Sequence, residues 1–165
     1  MDHICRVRLA APEDAEDLAR LHLECWRETY GHLLSPGFMA SQGVEGRLAM
    51  WRHLLAGPHA CRQYVAADGG TLVGFAGSLP PEDGVREQTE LWGIYLLASH
   101  QGRGLGQALL DAAIGNEQAG LWVAEENPRA QAFYRRNGFV FTGARDTVED
   151  WEGQAEVRMA RPARR

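Results

Sequence analysis

The chain has 165 residues, 45% of them hydrophobic and 24% charged, an ordinary balance for a domain long enough to bury a core without staples. Its formal net charge of -5 argues against a nucleic-acid partner, which usually meets a basic face, and is compatible with a cationic small molecule. Three scattered cysteines, Cys5, Cys25 and Cys61, form no C-x-x-C pair and read as packed, reduced thiols rather than a disulfide frame or metal site. No apolar run approaches the ~18 residues of a membrane span. The opening MDHICRVRLAAPEDAED turns acidic where a signal peptide needs its apolar stretch. The expectation is one domain over 1–165, in the cytoplasm, with no membrane and no nucleic acid among its partners.

Ile4 to Leu9 alternates apolar and basic residues, a short strand. Pro12 then opens a helix from its first position, with Glu13, Asp14 and Glu16 placed to suit the helix dipole. Ala15, Leu18, Leu21 or His22, Cys25 and Thr29 keep helical spacing along one buried face. Gly31 to Gly43 holds Pro36 and several glycines and reads as a loop, and Val44, Leu48, Trp51 and Leu55 mark a second helix. Gln63 to Ala67 and Thr71 to Leu79 are strands joined by an Asp68-Gly69-Gly70 turn. After a polar loop over Pro80 to Glu87, Glu90 to Leu97 forms a central strand. A helix follows to about Gln118, with Leu105, Ala108, Leu109, Ala112 and Ala113 on its apolar face. Leu121 to Ala124 is a short strand and Pro128 to about Arg136 a helix; Phe139 to Thr142 and Glu156 to Met159 close the fold as strands. Hairpins pair antiparallel and a helix crossover joins parallel strands. The order therefore predicts an α/β fold: a mixed central sheet flanked by helices.

The stretch QGRGLGQALL places Gly102, Gly104 and Gly106 where a strand passes into a helix. Glycine costs roughly 1 kcal/mol against alanine inside a helix. A helix start offers unpaired N–H groups and partial positive charge to an anion, and a backbone without Cβ lets a phosphate come close. A tight turn with nothing bound explains the same glycines. The dinucleotide pattern G-x-G-x-x-G fails at Gln107, and no Lys-Ser or Lys-Thr completes a P-loop. What remains is Gln101-x-x-Gly104-x-Gly106.

That loop resembles the acyl-CoA pyrophosphate loop of the GNAT superfamily of N-acetyltransferases. The strand ELWGIYLL, the loop ASHQGRGLG with its helix, and the block LWVAEENPRAQAFYRRNGF are similar to the family's central motifs. WRETYGHLL and EVRMARP also resemble small bacterial members, so nearly the whole chain fits the family's element order. The resemblance implies the GNAT acyl-CoA N-acyltransferase fold, a sheet splayed at its centre. It implies acetyl-CoA as cosubstrate and a small-molecule or peptide amine as acceptor. The attack would be direct, in a ternary complex. A non-catalytic acyl-CoA sensor or scaffold on the same fold is the alternative. A homodimer is common in the family, and nothing in the sequence fixes it.

The resemblance also implies roles for residues. Ile94, Tyr95 and Leu96 would lie where the strand bulges and splays, their backbone holding the pantetheine arm. The Leu96 N–H would stabilise the thioester oxygen. Gln101, Gly102, Arg103, Gly104, Leu105, Gly106 and Gln107 would offer N–H groups to the diphosphate. Ala98 stands where many members carry proline, and a slightly looser turn is expected there. Asn127 precedes Pro128, so it reads locally as an N-cap; the family role adds a hydrogen bond to pantetheine. Ala130 and Phe133 would pack by the cofactor. Tyr134 is either a half-buried aromatic or the general acid that protonates the leaving thiolate. Arg135 and Arg136 are solvated charges or partners of the CoA phosphates. Glu90 is either a polar strand end or a base acting through water, by its spacing to Ile94. Trp26 and Tyr30 are either core aromatics or the wall of the acceptor pocket. The six histidines show no metal-ligand spacing, and no metal is expected.

Overall fold

The computed structural model describes residues 5–165, so Ile4, the first residue of the expected opening strand, lies outside the described residues. Strand β1 (Cys5–Leu9) leads through a 3-10 turn at Pro12–Asp14 into α1 (Ala15–Tyr30). The Asp14 carboxylate accepts from the Ala11 N–H at 2.8 Å and from Arg8 at 2.7 Å, which fixes the entry to the helix. Helices α2 (Pro36–Ser41) and α3 (Val44–Ala56) follow. Then come β2 (Gln63–Asp68), β3 (Thr71–Leu79) and β4 (Thr89–Leu96). Helix α4 (Leu105–Ile114), β5 (Ala119–Ala124), α5 (Pro128–Arg136), β6 (Val140–Val148) and β7 (Gln154–Arg161) complete the chain. Among the described residues no helix is long and apolar enough to cross a membrane.

Seven strands form one sheet in the order β1-β2-β3-β4-β5-β7-β6. Every neighbouring pair is antiparallel except β4 and β5. Those two are parallel and pair only at Thr89 with Ala119 and Glu90 with Gly120. Beyond those rungs the two strands no longer pair with each other, though β4 stays paired to β3 and β5 to β7, so the sheet opens into a wedge. A bulge contributes to the divergence, because Gly77 faces Gly93 while Ser78 faces Leu91, leaving Trp92 as the extra residue. The bulge thus falls just before Ile94, Tyr95 and Leu96, not on them. Trp92 Nε1 donates to Gln63 Oε1 at 2.9 Å, and Gln63 is fully buried. A Cβ on Gly77 would collide with both of those atoms, so glycine is required where this pair crosses β3.

Apolar residues on the two faces of the sheet build two cores. One packs α4 and Tyr134 of α5 against Val73, Ala76, Leu91, Leu121 and Met159. The other packs α1 and α3 against Val65, Leu72 and Phe75. Inside the second core His22 stands among the rings of Trp51, Phe75, Trp92 and Tyr95, at centroid distances of 6.1, 4.9, 6.3 and 5.5 Å. Burial, then the Arg47 charge, pushes His22 down from 6.5 to about 3. The unfolded chain therefore takes up a proton near 6.5 that the folded chain refuses until about 3. Stability is full above the upper value and declines as pH falls toward the lower one. Urea unfolding at about pH 7.5 and about pH 4.5 should show this group removing about 2–3 kcal/mol, and His22→Leu should flatten that loss.

Several elements differ from the sequence reading, most by one or two residues at an end and three by more. Residues 31–43 are not all loop: Ser35 caps α2 by accepting from the Phe38 N–H at 3.2 Å, with Pro36 at the first position. Helix α4 stops at Ile114 instead of Gln118, because Gly115 takes a positive φ of 47° and its N–H returns to Asp111 O at 2.9 Å. Its buried face is Leu105, Leu109, Leu110, Ala113 and Ile114, leaving Ala108 exposed. Phe139 is buried just ahead of β6, which runs on to Val148. That strand is an exposed edge, so it carries no alternating pattern to read.

Candidate active site

The turn from β4 into α4 is shaped by two left-handed glycines, Gly102 at φ 77° and Gly104 at φ 80°. A side chain at either would be strained by the backbone, yet space lies open beside both. At Gly106, by contrast, a Cβ would only touch the Phe133 ring, so backbone conformation explains the first two glycines and not the third. The first helical bond runs from Ala108 N–H to Gly104 O at 3.0 Å. The N–H groups of Leu105, Gly106 and Gln107 therefore have no helical acceptor. Together with exposed Arg103 they form an electropositive cradle of the kind that binds anions. The Gln107 side chain is otherwise engaged, donating to Asn137 Oδ1 at 2.8 Å and to Asp111 Oδ1 at 3.0 Å. Ahead of the cradle, the Ala98 N–H donates to Glu28 Oε2 at 2.9 Å. A proline there could not make this bond, so the turn is pinned to α1 rather than loosened.

The wedge between β4 and β5 opens from the Glu90–Gly120 rung toward the C-terminal end of β4, where this cradle follows. Leu97 donates its N–H to Val73 O at 2.9 Å, across to β3. Alternation along an extended chain then turns the N–H groups of Leu96 and Ile94 the other way, into the wedge. The Leu96 carbonyl is already held there by Gln101 Nε2 at 2.9 Å, while Gln101 Oε1 is buried without a partner. On the far side Asn127 caps α5 by accepting from Ala130 N–H at 3.2 Å, which leaves its amide hydrogens to point elsewhere. The local and the family readings of Asn127 are therefore compatible.

Three phenols meet over the wedge. Tyr30 from α1 and Tyr95 from β4 share a hydrogen bond of 3.3 Å between hydroxyls. Tyr134 from α5 is buried, its ring 5.5 Å from Phe133 and 5.7 Å from Phe139. Burial first, and then the neighbouring Tyr30, pushes the Tyr134 phenol up, so it keeps its proton. Tyr95 is raised by burial, then by Tyr30, Tyr134 and Glu156. Glu156 on β7 is half-buried, and burial followed by the adjacent Asp146 raises its carboxyl. Glu156 acts on Tyr30 and Tyr95, and Tyr30 acts on Tyr134, so a buried phenol and a carboxyl with a raised pKa flank the same tyrosine pair, the usual setting for a proton donor and a proton acceptor.

An aromatic wall continues from the phenols. Trp26 lies 5.3 Å from Tyr30, 5.9 Å from Phe38 and 5.4 Å from Trp151. The Arg47 guanidinium stacks over Trp26 at 5.1 Å. The turn carrying Trp151 is clasped to the α1–α2 loop, with Ser35 N–H donating to Glu152 at 2.8 Å and Gln154 Nε2 to Leu33 O at 3.0 Å.

The structure thus brings Tyr134, Leu96, Tyr95, Tyr30 and Trp26 to one wedge. It holds Glu90 apart from the phenols, at the last paired rung, where Arg158 grips both its carboxylate oxygens at 2.6 and 2.7 Å. Arg135 lies over the Phe141 ring at 4.7 Å and Arg136 is exposed. Sequence reasoning missed Phe38, Arg47, Trp151 and Glu156. The Ser35-Pro36 pair was a signal for the helix carrying Phe38; the others have none, since they arrive through long-range pairing. Two shallow cavities, of about 250 and 360 Å³, lie elsewhere, by Arg62 and Asp111 and in the 81–87 loop.

Comparison with known proteins gives a consistent picture. Residues 15–139 match the model of the acetyltransferase (GNAT) family. The uncharacterized N-acetyltransferase YuaI of Bacillus subtilis (strain 168) is 33% identical over 132 residues, covering 74% of this chain and 73% of that protein. The N-alpha-acetyltransferase RimI of Mycobacterium tuberculosis is 37% identical over 106 residues, 59% of this chain and 63% of its own. Among solved structures, yncA from Salmonella typhimurium, a putative acetyltransferase with its cofactor acetyl-CoA, superposes with a TM-score of 0.69. The match has 20% identity and covers 98% of this chain and 95% of that one.

Proposed function

The chain belongs to the GNAT acetyltransferase family, and on that footing we propose that it moves the acetyl group of acetyl-CoA to a primary amine by direct attack in a ternary complex. The observation that supports this reading is the wedge itself: β4 and β5 part beyond Glu90 and Gly120, and the hydrogen-bonded Tyr30 and Tyr95 hydroxyls have buried Tyr134 and half-buried Glu156 as electrostatic neighbours. Acetyl-CoA supplies the activated acyl group. The 101–107 cradle holds its diphosphate, and Ile94 and Asn127 hold the pantetheine amides. Phe133 and Ala130 pack beside it.

In this reading the Leu96 N–H faces the carbonyl oxygen and stabilises the negative charge that develops on it. The amine enters along Trp26 and Tyr30. An alkylamine with a pKa of about 10.4 is mostly protonated at neutral pH, and only its free base attacks. Glu156, directly or through a water, takes that proton. Glu90 is the less suited base, because Arg158 already occupies its carboxylate. As nitrogen bonds to the acyl carbon the carbon–sulfur bond breaks, and Tyr134 delivers its proton to the sulfur. The nitrogen sheds its second proton to solvent as the tetrahedral adduct collapses to amide, and the phenolate takes a proton back from solvent.

Purified protein incubated with acetyl-CoA and pools of primary amines should release free thiol only when an amine is present. Binding of CoA with no release on any amine would support a sensor instead. A second test addresses the cradle. Gly104→Val should weaken CoA far more than pantetheine lacking the diphosphate, since a β-branched residue at φ 80° distorts the loop that meets it. Equal losses for both ligands in calorimetry would mean that the loop shapes the fold and not the diphosphate site.

A further inference from the structure

Arg47 is an unusual cation. It is half-buried on α3, its Nε is shut off from solvent without a partner, and among the described residues its side chain makes no ion pair and no hydrogen bond. Its one direct contact of charge is the face of Trp26. Its electrostatic neighbours are the Tyr95 phenol, which burial keeps protonated, and another cation, Arg27. Burial is the main cause holding its pKa below the ordinary arginine value. A buried charge is normally paired, because desolvation is repaid only by a well-placed opposite charge. The other arginines drawn in from solvent have acceptors: Arg62 pairs with Glu117, Arg158 with Glu90, and buried Arg161 donates to the backbone carbonyls of Glu117, Asn137 and Gly115. Arg47 alone of these stands over the acceptor wall.

We propose that Arg47 receives a carboxylate carried by the acceptor, so that the enzyme acetylates amines that also bear an acid group. This deepens the acetyl-transfer reading and rests on it. The planar guanidinium presents a rigid fork that matches a carboxylate, and stacking on Trp26 fixes its plane. Glu156 and Arg47 then give the pocket two poles of opposite sign, with Trp26 and Tyr30 between them. A zwitterionic amino acid has the complementary polarity: its ammonium turns to Glu156 and its carboxylate to Arg47. A polyamine has the wrong charge at the Arg47 end, and a simple alkylamine leaves the guanidinium unpaired.

Matched probes test this: L-phenylalanine against 2-phenylethylamine, and 6-aminohexanoate against hexylamine. The two pairs also report which spacing of amine and acid fits. In at least one pair the acid-bearing member should have a kcat/KM roughly 10–100-fold higher. Arg47→Leu should bring that ratio near one through the acceptor KM, and Arg47→Lys should restore part of it. Calorimetry of the N-acetylated acids reads the same contact without turnover. Their binding to wild type and its loss in Arg47→Leu would support the carboxylate site even if no amine released thiol, which separates this proposal from the acetyl-transfer reading. Ratios near one in both pairs for wild type, or a ratio that Arg47→Leu leaves in place, would overturn it. A short peptide amide preferred over every acid-bearing probe would do the same.

Discussion

Tyr134→Phe lowers kcat by about 10²–10⁴-fold and leaves acetyl-CoA affinity close to wild type, the loss typical of a removed general acid. Phenylalanine keeps the ring that packs against Phe133 and Phe139 and deletes only the hydroxyl. The phenol is buried and held in its protonated form, so it can give a proton only as charge appears on sulfur. Because that interaction grows toward the transition state, kcat and kcat/KM fall together. The deficit shrinks for a synthetic thioester whose thiol leaves as a stable anion. A purely structural Tyr134 behaves differently: the variant loses thermal stability or cofactor affinity, and the leaving group makes no difference. Steady-state rates on both thioesters, for both proteins, separate these cases.

Glu156→Gln lowers kcat/KM for the amine by about 10²-fold at neutral pH, and the deficit narrows as pH rises toward the amine pKa of about 10.4. At high pH solvent supplies the free amine and the base is no longer needed. In wild type the acid limb of the profile should lie above the ordinary carboxylate range. Burial and Asp146 raise the Glu156 carboxyl, and a base works only once it has lost its proton. Asp146→Asn removes the second cause and should move that limb down. Glu90→Gln instead weakens a forked ion pair and should show as about 1–3 kcal/mol of lost stability. A pH profile that follows Glu90→Gln and ignores Glu156→Gln would return the base role to Glu90.

Much of the scaffold was legible because its signals are local. The Asp68-Gly69-Gly70 turn marks β2 and β3, a run rich in apolar and aromatic residues marks β4, and glycine spacing marks the turn between β4 and α4. The Asn127-Pro128 pair marks the start of α5, and its cap is present in the structure. The 101–107 turn and the start of α5 are built from these contiguous pieces, so both could be placed in advance. The acceptor half is not contiguous. Ser35 meets Glu152 across 117 residues, and Tyr30 meets Tyr95 across 65. Glu156 reads in sequence as one acidic residue at the start of a strand. Only the pairing of β5, β7 and β6 carries it to the open side of the wedge, opposite Ala124 and beside Asp146. Glu90 shows the converse: its spacing to Ile94 matches a catalytic glutamate, yet Arg158, from a strand at the end of the chain, fills its carboxylate. Ala98 makes the same point, since its N–H meets a glutamate from a helix far upstream.

The central claim is that the acyl group passes straight from thioester to amine within the wedge. A single-turnover experiment tests it most directly: wild-type protein in excess over acetyl-CoA labelled in its acetyl group, mixed with a reactive amine and followed by mass spectrometry. The account predicts that label leaves CoA only when amine is present, appears on the amine at the rate of thiol release, and never resides on the protein. Label accumulating on the protein before the amine, or escaping as acetate at the same rate without amine, would contradict it.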